Sequence, residues 1–189
     1  MEGTIGTTER KKIHPHKFAL WIAMASIIMM FAGLTSAYIV RHAQGNWKLY
    51  ELPGLFNIST AVIIISSITM HLGLKAFKKR EMPRFKMLII GTLVLGTLFM
   101  LLQYLAFNQL YADNIRVDGN PSESFLFIIA GLHLLHIAGG IIALLIVFFR
   151  AFRTRVKVYN ATGLEIVATY WHFVDVLWIY LFVFFLVNK

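Results

Sequence analysis

The chain has 189 residues, 58% of them apolar and 14% charged, with a formal net charge of +9. Soluble domains are about 45–50% apolar and about 25% charged, so these proportions exclude a water-soluble enzyme and point to a chain folded in lipid. It contains no cysteine, which excludes disulfides, iron–sulfur clusters, thiolate-bound haem and any copper or zinc site built on sulfur; seven histidines remain as common metal ligands.

In chain order, residues 1–17 form a polar N-terminal segment carrying Arg10, Lys11, Lys12 and Lys17. Residues 18–189 then contain five stretches, 18–40, 55–74, 87–107, 125–149 and 166–187, each able to cross a hydrocarbon core that takes about 20 helical residues. The first is too long for the apolar region of a signal peptide and reads as a retained span. Backbone groups in lipid must be satisfied within the segment, and the runs far exceed barrel strands, so the spans are helices. The expected fold is all-α: a polytopic membrane protein with five transmembrane helices in one bundle. The longest outward loop, 108–124, has 17 residues, leaving no room for an extramembrane domain.

The basic residues sort by side. The N-terminal segment, the loop with Lys75, Lys78, Lys79, Arg80, Arg84 and Lys86, and the loop with Arg150, Arg153, Arg155 and Lys157 together hold fourteen; Arg41, Lys48, Arg116 and Lys189 lie opposite. The positive-inside rule therefore places the N-terminus in the cytoplasm and the C-terminus outside. The positive charge reads as topology, with some attraction for anionic headgroups at about 1 kcal/mol per basic residue, rather than as a nucleic-acid footprint. Two small-xxx-small pairs, Gly33 with Ala37 and Gly139 with Ala143, are expected to pack helices within the bundle, docking onto a partner being the alternative. The run from Phe182 to Phe185 reads as lipid-facing or core.

An ionisable group at bilayer depth costs at least about 2.5–3.5 kcal/mol, so each calls for a partner or a task. His71, His133, His136, His172 and Asp175 lie at such depth. Glu165, at the start of the last span, is two helical turns from His172, and Asp175 sits beside that stripe; His133 and His136 share a face of the fourth span. Three readings compete. In the favoured one, His172 and Asp175 hydrogen-bond the fourth-span histidines and fix helix register. A metal or haem site is the second, although two histidines on one helix face cannot ligate opposite sides of one haem, and non-haem iron wants more carboxylates than Asp175 alone. The third is a proton or ion pathway, against which stands the lack of proline in any span.

The run Tyr170-Trp171-His172-Phe173-Val174-Asp175-Val176-Leu177-Trp178 resembles the C-terminal signature of subunit III of haem–copper terminal oxidases. Gly131-Leu132-His133-Leu134-Leu135-His136 followed by Gly139-Gly140 is similar to that family's motif in the preceding helix, and Leu101-Leu102-Gln103, Phe148-Phe149-Arg150 and Gly163-Leu164-Glu165 fit as well. On this resemblance the chain is identified as a five-helix bacterial form of the cytochrome c oxidase subunit 3 family. The resemblance implies a multi-pass protein of the bacterial cytoplasmic membrane with no catalytic centre, metal or cofactor of its own. Haem and copper would belong to partner subunits. The chain would pack against catalytic subunit I, beside subunit II and other oxidase subunits, bind phospholipid, and support proton uptake and stable turnover while electrons pass from cytochrome c to oxygen. It further implies that His133, His136, Glu165, His172 and Asp175 form a polar, lipid-associated interior, that Tyr170, Trp171, Phe173 and Trp178 carry the signature, and that Arg150 and Arg153 hold lipid phosphate. A bo-type quinol oxidase subunit is the nearer alternative; a free-standing transporter or haem protein is the one of a different class. Two family carboxylates are replaced, by Ile27 in the first span and Ala106 in the third, so no role assigned to them carries over.

Overall fold

The computed structural model of the chain describes residues 15–45, 47, 52–153 and 161–188, with the side chain of Arg153 excepted. Arg10, Lys11, Lys12, Lys48, Arg155, Lys157 and Lys189 of the charge reading lie outside the described residues, as does the Arg153 side chain expected at a lipid phosphate. Five helices, α1 (Pro15–Ala43), α2 (Leu55–Lys78), α3 (Met82–Ala112), α4 (Pro121–Arg153) and α5 (Thr162–Val187), account for nearly all described residues, and no strand occurs among them. All five are long and apolar enough to cross a membrane.

The helices outrun the spans read from hydropathy. Helix α1 takes in Pro15, His16 and Lys17 from the expected polar segment, and α3 adds five residues at each end of 87–107. A hydrogen-bond ladder does not stop where the hydrocarbon stops; it continues until the chain meets a cap or a breaker. The loop expected over 108–124 thus shrinks to eight residues, 113–120. Asn120 caps α4, its side-chain oxygen accepting from the Ser122 N–H at 3.2 Å, with Pro121 at the first helical position. Helices α2 and α3 both end in paired bonds, Glu81 N–H to Ala76 and Arg80 N–H to Phe77 in one, Ile115 N–H to Leu110 and Asn114 N–H to Tyr111 in the other. Each closure needs a left-handed residue: Asn114 (φ 59°) at one, Arg80 (φ 63°) at the other.

Helices α2, α3, α4 and α5 form a closed ring in that order, α5 returning to α2. Helix α1 stands outside the ring and touches only α4 and α5. Its burial reflects this: 17% of its most apolar window is buried, against 50% for α5. Lipid is as apolar as the side chains, so close packing rather than water exclusion holds such helices together. The glycines that serve are not the expected ones. Gly33 and Ala37 are exposed, and a Cβ on Gly33 would meet nothing within 4 Å. Gly139 is exposed too, with only the Tyr170 hydroxyl 3.8 Å from an added Cβ. The close approaches are at Gly96 of α3 and Gly140 of α4, where an added Cβ would fall 2.7 Å and 3.0 Å from the Trp171 ring. From the 182–185 run, Phe182, Phe184 and Phe185 are core and only Val183 is exposed.

Candidate functional site

At 100° per residue, Trp171, Val174, Asp175 and Trp178 fall on one face of α5, and all four are buried. Trp171 is the wedge of the bundle. Its ring fills the space left by Gly96 and Gly140, and its indole N–H donates to the Ser66 hydroxyl at 3.2 Å, so one side chain joins α2, α3, α4 and α5. Trp178, two turns on, donates to the Thr60 hydroxyl at 3.0 Å and stacks on Phe56 with centroids 5.9 Å apart. Tyr170 donates to the His136 carbonyl at 3.1 Å, and half-buried Phe173 packs against the same core. The four signature aromatics are therefore structural members of the helix contacts.

His133 is fully buried inside an aromatic box. Its ring stacks on Trp178 at 5.1 Å and 29°, with Phe99 at 6.2 Å and Phe31 at 6.4 Å edge-on. Neither ring nitrogen is hydrogen-bonded. His136, one turn along, sets its Nδ1 2.7 Å from its own helix's Leu132 carbonyl. A carbonyl only accepts, so that nitrogen carries the proton. The expected bonds from α5 to these histidines are thus absent. His172 and Asp175 turn toward α2 instead, because the α4 side of α5 is occupied by the tryptophan rings and Tyr170. His172 Nδ1 is 2.7 Å from the Ser67 hydroxyl, and the His71 ring, exposed on α2, stands 6.2 Å from that of His172. Asp175 is buried beside Ser67, yet neither of its oxygens has a partner in hydrogen-bond geometry.

Glu165 does not join this interior. It lies in the first turn of α5, its carboxylate 2.7 Å from Lys17 of α1 and 2.8 Å from Lys78 of α2. A carboxylate there also complements the N-terminal end of the helix dipole. The result is an ionic tie across three helices, two of which do not otherwise touch. Arg150 is exposed near the end of α4. The site residues thus form three groups: the α4 histidines in the aromatic core, the α2–α5 set of Ser67, His71, His172 and Asp175, and the Glu165 tie. Sequence reasoning missed Ser66, Ser67 and Thr60, whose only signal was hydroxyl groups clustered in an uncharged span, and it read Lys17 and Lys78 as topological charge alone, without their pairing to Glu165. No three His, Asp or Glu side chains form a metal-holding group among the described residues.

The family model described as "Cytochrome c oxidase subunit III" matches residues 16–188. Among similar curated proteins is a "Probable cytochrome c oxidase subunit 3" of Nocardia farcinica, 30% identical over 95% of this chain and 94% of the relative. A "Cytochrome c oxidase subunit 3" of Corynebacterium diphtheriae is 28% identical over 86% of this chain and 82% of its own length. A "Probable quinol oxidase subunit 3" of Staphylococcus aureus is 27% identical over 88% and 86%. With both signature helices packed as one interior and the match spanning all five helices, the chain belongs to the cytochrome c oxidase subunit III family.

Proposed function

We propose that this chain serves a proton-pumping haem–copper oxidase as the subunit without a redox centre, packing on the flank of the catalytic subunit and supporting proton uptake and sustained turnover. The observation that carries the reading is the filled centre of the bundle. Trp171 is wedged between two glycines and Trp178 is stacked between Phe56 and His133, so side chains take the space a porphyrin would need. His133 is enclosed by three aromatic rings, which leaves its nitrogens no approach for a ligated macrocycle. The missing cysteine supports the same reading, since a thiolate-bridged copper site cannot be built. The basic bias supports a cytoplasmic N-terminus in the bacterial inner membrane.

The outer face of α1 supports docking onto a partner. It is the least buried helix, and Gly33 and Ala37 lie open on it, offering another helix the close backbone approach that the bundle itself does not use. Cytochrome c as electron donor rests on the relatives bearing that name; the quinol alternative rests on the Staphylococcus aureus relative. The test is affinity purification of the tagged full chain from its own membranes. It should bring down a haem–copper subunit, with oxidation of reduced cytochrome c by the complex. The chain stripped of partners should show no Soret band and no stoichiometric iron or copper. Haem bound to the stripped chain, or a partnerless chain in gently solubilised membranes, overturns the reading; oxidation of quinol alone selects the alternative donor.

A further inference from the structure

The turn between α2 and α3 carries six basic residues within twelve positions and one carboxylate, Glu81. Two of the cations are engaged elsewhere, Lys78 with Glu165 and Lys86 over the Phe152 ring at 4.6 Å. Lys75, Lys79 and Arg84 instead line a cleft of about 340 Å³ between the facing sides of the two helices. Leu72, Lys75 and Lys79 follow one another on one face of α2, and Arg84, Met87 and Leu88 do the same on α3. Charge therefore sits at the turn, and the lining becomes apolar deeper along the helices, where Leu72 lies two turns from Lys79. Glu81, hydrogen-bonded by the Arg84 guanidinium at 2.9 Å, has its carboxyl held below the ordinary range and is ionised. Three cations against one carboxylate leave the cleft net +2.

Topology alone requires basic residues on this side; it does not require them to share a cleft with an apolar floor. Nor does it explain Arg80. The helix closure there takes a left-handed residue, and at the matching closure of α3 the chain uses Asn114, one of the few types that adopt that conformation readily. Retaining a long cationic side chain in so unfavoured a conformation concentrates charge at the turn itself.

We propose that this cleft is a binding site for one anionic phospholipid, its phosphate held by Lys75, Lys79 and Arg84 and its acyl chains lying along Leu72, Met87 and Leu88. The site belongs to this chain and does not depend on the oxidase reading. A zwitterionic lipid brings no net charge to match +2, and a free phosphate has no use for the apolar floor.

The full-length chain in detergent, examined by native mass spectrometry with added dioleoyl phosphatidylglycerol, dioleoyl phosphatidylcholine or glycerol 1-phosphate, tests this. Wild type should retain phosphatidylglycerol at least about tenfold more tightly than phosphatidylcholine. The variant K75Q/K79Q/R84Q should erase that preference, and L72S/M87S should weaken both lipids while leaving the preference. Phosphatidylglycerol carrying a photoreactive acyl chain should label Leu72, Met87 or Leu88 in wild-type protein, a readout independent of whether any variant folds. Equal retention of the two lipids, an unchanged preference in the triple variant, or labelling confined to other helices overturns the site. Displacement of lipid by glycerol 1-phosphate at comparable concentration would make it a soluble-phosphate site and overturn the lipid assignment.

Discussion

Asp175 is an acid buried in a membrane-spanning helix with no hydrogen bond to either oxygen, in a molecule that satisfies Trp171, Trp178, Tyr170 and His172 nearby. A buried polar group without a partner subtracts from stability, and removing it outright is often neutral or favourable. Ser67, beside it on α2, does make a bond, to His172. The two side chains should therefore respond oppositely. Asp175→Ala should leave the unfolding midpoint of the isolated chain in a detergent titration unchanged or raised, while sustained turnover of the complex falls and its haem and copper content stays intact. Ser67→Ala should lower the midpoint, at a cost in unfolding free energy of about 1 kcal/mol, the worth of one intramolecular hydrogen bond. At this scale the sequence revealed which residues were unusual but not whom they face. His172 and Asp175 stood out by charge in an apolar run, whereas their turn toward α2 depends on the tryptophan rings filling the α4 side, a matter of volume that hydropathy does not record.

Two kinds of joint hold the elements together. The first is steric. Gly96 and Gly140 exist as gaps shaped for Trp171, whose rigid ring has nowhere to retreat. Gly140→Ala should cost about 1–3 kcal/mol, the usual toll of overpacking, and Gly139→Ala, its sequence neighbour, should cost far less. Parallel unfolding titrations of the two variants check this, and equal losses would contradict it. The second joint is ionic. Glu165→Gln should release both lysines and cost about 1 kcal/mol, since the pairs are partly exposed and screened, with the loss shrinking as salt is raised. The five helices were legible in the sequence because lipid imposes a length and a composition that nothing else in the chain imitates. Their joints were less so: a glycine pair four apart looks alike whether or not a ring fills it, and Lys17 lies 148 residues from the carboxylate it meets.

For the whole molecule, the ring of four helices with α1 set against its α4–α5 edge gives an inside and an outside of different character. The inside is closed by aromatic rings; the outside offers Gly33 and Ala37 on α1 and the charged cleft at the α2–α3 turn. Gly33→Leu should leave the isolated chain as stable as wild type, because nothing lies within 4 Å, yet reduce recovery of the catalytic subunit severalfold in co-purification. Undiminished recovery would assign that face to lipid.

The placement of α1 also dictates an order of events in the life of the chain. Helix α1 precedes in the chain both of the helices it packs against among the described residues, α4 and α5, so it waits in the bilayer while more than a hundred residues are added before α4 is complete. Helices α2 and α3, joined by a three-residue turn, can pair as soon as they emerge. Until α5 arrives, neither the ring nor the seat for α1 is complete. A chain interrupted ahead of residue 162 would therefore leave α1 with α4 as its one neighbour beside an open three-helix array, a form ready for quality-control proteolysis rather than for assembly.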